Sequence, residues 1–274
     1  MALIALAADK GAPGVTTAAT ALAAVWPRHA LLAECDAAGG DLAYRLPSEQ
    51  GHPLDAGRGL LSLGVAARRG LDAPRIHEHT QRLVGGLEVL AGIGGAEQAS
   101  GLTWLWEPLA QAFGSLPGTD VIADCGRVGS YPPINGLLAA ADLVMLLVRP
   151  QLDQVAHLRD RVATLTAALA ERTPAPPPVG VVVIAEAKRF RKAIAEVRRV
   201  LSASGGAPDL VLGGLAHDVR GAELLRGEWG GRLDRTLLIR SARELAATVL
   251  ARTDHGAHQR GRHAQTPETE SSPA

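Results

Sequence analysis

Lys10, Thr16, Asp36 and Asp124 are the residues whose types and positions could do chemistry together. Lys10 opens the passage Lys10-Gly11-Ala12-Pro13-Gly14-Val15-Thr16-Thr17, which lies between an apolar run, Ala2 to Ala7, and an Ala/Leu-rich helical pattern beginning at Thr16. In a strand, glycine-bearing turn and helix of this kind, the N–H groups of the turn and of the first helical residues point at one spot. The helix dipole makes that spot attractive to anions. Phosphate is the expected occupant. The Thr16 hydroxyl and the carboxylates of Asp36 and Asp124, each of which closes an apolar run, are oxygen ligands of the type preferred by a hard cation that keeps several waters, such as Mg²⁺. The alternative reading is an ordinary strand-to-helix turn with aspartates that cap strands.

Against the phosphate-binding pattern G-x-x-x-x-G-K-[ST], Gly14 and Thr16 fit, while Asp9 replaces the first glycine and Val15 the lysine. The stretch resembles the deviant Walker motif of the ParA/MinD family of P-loop ATPases, K-G-G-x-G-K-[ST]-[ST], with Lys10 as that family's signature lysine. Only Lys10, Lys188 and Lys192 among the 28 basic residues are lysines, which makes a lysine at position 10 informative. The resemblance implies that Lys10 reaches across a nucleotide-sandwich homodimer, that Asp36 helps to position the attacking water, and that residues 10–17 cradle ATP. It further implies that Thr16, Asp36 and Asp124 hold Mg²⁺, Asp124 in the manner of a Walker B aspartate. Glu34 stands for the first aspartate of the family's D-x-D segment, and Asp41-Leu42 resembles its switch-region [ND]-L. There are departures: Val15, Ala216 where relatives carry a proline before Asp218, and Ala185-Glu186 where an adenine-contacting asparagine often stands. Without the lysine at position 15, activity is expected to fall more than binding. Arg127 and Arg149, which follow strand ends, are the candidate substitutes.

The elements that must position these residues read as alternating strands and helices. Strands are expected at His29–Cys35, Leu87–Ala91, Asp120–Asp124, Leu143–Val148, Val179–Ile184 and Leu210–Leu215. Helices are expected near Pro74–Leu83, Thr103–Leu116 with a kink or late start at Pro108, 152–172, from Lys188, and Ser241–Arg252, while Gly92 to Ser100 reads as a loop. This alternation predicts an α/β fold with a doubly wound, mostly parallel sheet and helices on both faces, and the resemblance implies that this is the P-loop NTPase arrangement. In such sheets ligands sit at the carboxyl ends of the strands. One domain is expected over 1–252, followed by a disordered polar tail over 253–274, which lacks apolar periodicity.

The 274 residues are 47% hydrophobic, with 28 basic and 28 acidic side chains, so no global field draws the chain to nucleic acid or membrane. No apolar run is long enough to span a bilayer, and the tail lacks the bulky apolar face of a membrane-binding helix; no intrinsic membrane anchor is expected. Cys35 and Cys125 have no C-x-x-C spacing and read as small buried residues in a reduced, cytoplasmic protein. His77 and His79, two apart on a helix, read as solvated, and Trp104 and Trp106 as packing residues. At about 100° per residue, Phe190, Ile194, Val197 and Leu201 share one face, which leaves Lys188, Arg191, Lys192, Arg198 and Arg199 as a basic surface. That surface is either a solvated helix face or, as the resemblance implies, a site for non-specific DNA. The resemblance makes the chain a dimerising, ATP-dependent positioning switch with slow hydrolysis. Its protein partner would belong to chromosome or plasmid partitioning, or to polar assembly of a pilus or secretion machine, as in CpaE/TadZ-type relatives. The competing class is a non-hydrolysing scaffold that keeps the fold for protein contacts, which Val15 favours.

Overall fold

The structure, a computed structural model, describes residues 1–129, 133–203, 205, 207, 209–228 and 231–263, with the side chains of 256–263 excepted. The elements follow in chain order: β1 (Leu3–Ala8), α1 (Val15–Ala24), β2 (Ala30–Glu34), α2 (Leu42–Arg45), α3 (Leu60–Ala67), α4 (Ala73–His79), β3 (Gln81–Arg82), β4 (Glu88–Leu90), α5 (Ala96–Gly101) and α6 (Trp106–Gly114). Next come β5 (Asp120–Arg127), α7 (Asn135–Ala139), β6 (Leu143–Val148), α8 (Leu152–Arg172), β7 (Val179–Ala185), α9 (Phe190–Ala203), β8 (Val211–Ala216), α10 (Val219–Leu225) and α11 (Leu237–His263).

The eight strands form one sheet in the order β3-β4-β2-β5-β1-β6-β7-β8. Every pairing is parallel except that of the short edge strand β3 with β4. Parallel strands covered on both faces need apolar residues on both faces, and the run LVMLLV of β6 is buried at every position. Its branched side chains stabilise the centre of the sheet by roughly 1.5–3 kcal/mol each relative to exposure.

Alternation along β1 divides the core in two. Leu3, Ala5 and Ala7 face a layer built by α3 to α9, whose buried anchors include Leu63, Trp106, Phe113, Leu158 and Val197. Ile4, Leu6 and Ala8 face the opposite layer, built by α1 and α11 with Leu22, Leu238, Leu245 and Val249. The doubly wound sheet expected from the sequence is therefore present. The strand β1 lies between β5 and β6, so the chain crosses over it, and the crevice outside its carboxyl end is where such sheets place ligands.

Several local expectations differ from the structure. The last helix does not stop at Arg252: Thr253 is buried, its hydroxyl donates to the Leu250 carbonyl at 3.0 Å, Asp254 pairs with Arg28, and the helix runs to His263. The expected boundary between domain and polar tail is thus too early. Composition hid it because a helix needs only one face to dock, and residues 264–274 of that tail lie outside the described residues. The passage Gly92 to Ser100 is not loop throughout, since α5 starts at Ala96 and buries Ala99. The helix near Pro74 ends at His79, capped at its start by the Asp72 side chain accepting from Arg75 N at 3.1 Å. Pro108 falls in the first turn of α6, where its missing N–H costs nothing, so the late start holds. Trp106 packs in the core, whereas Trp104 is 42% exposed and does not.

Candidate functional site

The turn after β1 is shaped by two glycines in the left-handed region, Gly11 at φ 74° and Gly14 at φ 98°. Gly14 is the N-cap of α1 and provides no side-chain cap, and its carbonyl accepts from Ala18 N at 2.9 Å. The first-turn N–H groups of α1 are therefore offered to whatever lies beyond the helix end, as an anion site requires. Val15, the residue in the lysine position, is 7% exposed and packs into the layer of α1 and α11. Its side chain belongs to the core.

Thr16 and Asp124, placed apart by 108 positions, meet here: the Thr16 hydroxyl lies near enough to the Asp124 carboxyl to favour its charged form. Asp124 is 1% exposed at the carboxyl end of β5, in register with Glu34 on one side and Leu6 on the other. Burial pushes its carboxyl up to about 6, against the opposing pull of Thr16 and of the Gly126 amide, with Glu34 and Asp36 raising it further. Gly126 N donates to Asp124 Oδ1 at 3.1 Å, while Oδ2 is buried and has no hydrogen-bond partner among the described residues. An oxygen in that condition fits a group that arrives from outside the chain, such as a hydrated divalent cation.

Asp36 follows β2 and lies over the same edge. Its Oδ1 accepts from Ala38 N at 2.8 Å. Burial raises its carboxyl, opposed by the Ala38 amide and the charge of Arg127. Position 126 must be glycine: φ is 56°, and a Cβ there would stand 1.9 Å from Asp36 Oδ2. Thr16, Asp36 and Asp124 thus form one neighbourhood. No group of three or more His, Cys, Asp or Glu converges as a metal cluster among the described residues, so a cation here would depend on the threonine hydroxyl, waters and phosphate oxygens.

Glu34 takes a different part. Its Oε1 accepts from Asp41 N at 2.9 Å and Leu42 N at 3.0 Å, and its Oε2 from Gly92 N at 2.8 Å. It clamps the passage after β2 to the passage after β4, and a Cβ at Gly40 or Gly92 would collide with it. Burial outweighs these three bonds and raises its carboxyl. Asp41, half-buried, pairs with Arg45 one turn on. Asp218 is likewise consumed: it accepts from Gly221 N at 2.9 Å, Leu237 N at 2.9 Å and Leu238 N at 3.2 Å, capping α10 and α11 together.

Beside the helix start lies a cavity of about 180 Å³ between Pro13, Gly14 and Thr17 on one wall and Ile184, Ala216, His217 and Asp218 at the ends of β7 and β8 on the other, with Arg149 and Arg226 at its margin. Arg149 therefore borders the turn, and Arg127 stands near Asp36. Cys35 and Cys125 are both buried, which pushes their thiols up. His77 is exposed opposite Glu88, at 3.4 Å. His79 is not simply solvated: its Nδ1 lies 2.7 Å from Ser62 Oγ, and burial lowers its pKa. Lys10 is exposed and its Nζ lies 3.1 Å from His157 Nε2 on α8, a partner that sequence reasoning missed together with Arg161, which pairs with Asp9. The available signal was the 154, 157, 161 spacing, which puts these side chains on one helix face.

No protein-family model matches this sequence, and no curated protein does. Solved structures do resemble it. A ParA family ATPase from Chlorobium tepidum superposes with a TM-score of 0.68 at 16% identity, over 90% of this chain and 98% of the other. The septum site-determining protein MinD of Pyrococcus horikoshii, complexed with Mg-ADP, gives 0.62 at 14% identity over 91% and 97%. A cobyrinic acid a,c-diamide synthase from Mycobacterium smegmatis with bound ATP analogue and magnesium gives 0.61 at 17% identity over 91% and 94%. The chain has the fold of the ParA/MinD ATPases, and the third likeness places a small-molecule synthase on that same fold.

Proposed function

We propose that this chain is a Mg²⁺-ATP-binding switch of the ParA/MinD type that dimerises around nucleotide and positions a larger assembly. The observation that carries the reading is the Asp124 Oδ2, buried without a hydrogen-bond partner close to Thr16 at the uncapped start of α1. On this reading residues 10–17 cradle the phosphates, Thr16 and Asp124 hold Mg²⁺ with Asp36 beside them, and Asp36 orients the attacking water. Bound Mg²⁺ would neutralise phosphate charge, which matters more here because Val15 supplies none. Lys10 acts on the partner's nucleotide, so turnover is slow and depends on protein concentration.

The cargo is a component of a partitioning system or of a polar pilus or secretion machine, the burial of Val15 leaning toward the second. Six basic residues, Lys188, Arg189, Arg191, Lys192, Arg198 and Arg199, lie exposed on or just before α9, tempered by a Lys192–Glu196 contact at 3.8 Å. They would give sequence-independent DNA binding that falls steeply with salt. No helix among the described residues is long and apolar enough to cross a membrane. The test is isothermal titration of Mg²⁺-ATP into the wild type and Thr16→Ala, with binding expected for the first and a loss of roughly tenfold or more for the second. No heat at near-millimolar ATP would favour the second reading, a non-hydrolysing scaffold, which the packed Val15 supports.

A further inference from the structure

The turn that carries Lys10 is held from one side by α8. Arg161 pairs with Asp9, the two side chains being only 15% and 13% exposed. His157 Nε2 meets Lys10 Nζ at 3.1 Å. The Gln154 side-chain amide is the group nearest to Gly11, 3.4 Å from where a Cβ would stand. At about 100° per residue, Gln154, His157 and Arg161 lie within roughly 60° on the helix, so three successive turn residues meet one helical face in reverse order. The same face reaches two further strand ends: Arg161 donates to Gly129 O at 3.1 Å, and Gln154 Oε1 accepts from Arg149 N at 3.4 Å.

The contacts differ in kind. The Asp9–Arg161 pair is mostly removed from water and anchors the turn, whereas the Lys10–His157 contact is exposed and therefore exchangeable. A lysine ammonium has donors only, so His157 Nε2 accepts and the imidazole carries its proton on Nδ1. His157 thus occupies one donor of the only lysine near the anion-facing helix end.

We propose that α8 is a latch on this turn: Arg161 and Gln154 fix the backbone, and His157 stores the Lys10 ammonium against its own chain until an anionic ligand and a second protomer compete for it. The ligand half rests on the nucleotide-switch reading; the latch itself does not. A ligand shifts the turn only by its differential affinity for the freed lysine, so removing the stored state should strengthen ligand-dependent association.

The chain's three lysines make the test direct. Full-length protein labelled with [¹³C]lysine gives three Cε–Hε correlations, one of them from Lys10. In His157→Ala, a truncation of an exposed side chain, the Lys10 correlation is expected to move toward those of Lys188 and Lys192 while the latter two stay in place. With Mg²⁺-ATP, sedimentation should show half-association of His157→Ala at a protein concentration roughly three- to tenfold lower than wild type. Coincident Lys10 correlations in wild type and His157→Ala overturn the latch. A displaced Lys10 correlation with unchanged association overturns its regulatory role. If the Lys10 correlation differs between the two proteins but Mg²⁺-ATP perturbs neither, the latch stands and the nucleotide reading falls.

Discussion

Two buried aspartates on β5, four residues apart, have opposite fates. Asp120, 2% exposed at the start of the strand, is fully engaged: it accepts from Ala2 N at 2.7 Å, Trp26 Nε1 at 2.8 Å and Arg28 Nε at 2.6 Å. Asp124, four residues further along β5, is as deeply buried, yet its Oδ2 has no hydrogen-bond partner and burial raises its carboxyl to about 6. Only Glu88 Oε2 and Trp106 Nε1 share that condition among the described residues, and neither lies at the glycine turn. A buried carboxylate surrounded by donors ties the fold together, whereas one left short of them at the carboxyl edge is kept for something else. Asp120 at the amino edge is satisfied by the fold, whereas Asp124 nearer the carboxyl edge is not.

The sharpest way to break this contrast is Asp120→Ala, which strands the Trp26 indole N–H, the Ala2 amide and the Arg28 charge at once. A loss of about 2–4 kcal/mol is expected, discounted for the partial exposure of Arg28, and read as a lower urea midpoint. Equal stability of the variant and the wild type would remove Asp120 as the anchor of that edge.

Asp124→Asn should act in the opposite direction. It removes a charge whose burial is unfavourable, so the ligand-free protein should gain about 1–3 kcal/mol at pH 7–8. The same variant should lose any Mg²⁺-ATP-dependent rise in melting temperature. A destabilised Asp124→Asn protein would mean that the carboxylate is structural, like Asp120.

Titration sharpens the comparison further. The Asp124 carboxyl is raised from 3.8 in the unfolded chain to about 6 in the fold, so between those values the native state binds more protons than the unfolded state. Stability should therefore fall as pH rises from about 4 to about 6, by at most about 1.4 kcal/mol per unit from this group. Asp36 and Glu34, also raised, act in the same direction. Denaturation at a series of pH values should show a shallower slope in Asp124→Asn, and an identical slope in both proteins would contradict the assignment.

A loss of about 1–3 kcal/mol is expected for Gly126→Ala, because a methyl would collide with Asp36 Oδ2 at a backbone of positive φ. The loss should shrink in the Gly126→Ala, Asp36→Ala double variant, since removing the carboxylate leaves only the backbone cost. Strictly additive losses would separate position 126 from Asp36.

Much of the fold was legible before any coordinate. The run LVMLLV suits a central strand buried on both faces, as it is, and residues 152–172 follow helical periodicity to their ends. The short helices α2, α3, α7 and α10 were not legible, because four to eight residues carry too little periodicity to be distinguished from turns. At the site, Gly14, Thr16 and Asp124 could be selected by residue type at element ends. Glu34 could be selected too, but its part as a clamp depends on amides from residues 41, 42 and 92 that only the folded chain brings to it.

By itself the sequence determined the central strands, which turn needs glycine, and which carboxylates lie near strand ends, since each follows from local sterics or from the periodicity of burial. It missed the two-residue edge strand β3, which falls where a helix is expected. It could not determine how a given side chain would be spent. Whether Asp120 is satisfied and Asp124 is not, whether Val15 faces the core, and whether Lys10 rests on His157 depend on partners as many as 147 positions away. A hydrogen bond or a desolvated charge takes its energy from the groups that surround it in space, and tertiary structure alone fixes those surroundings.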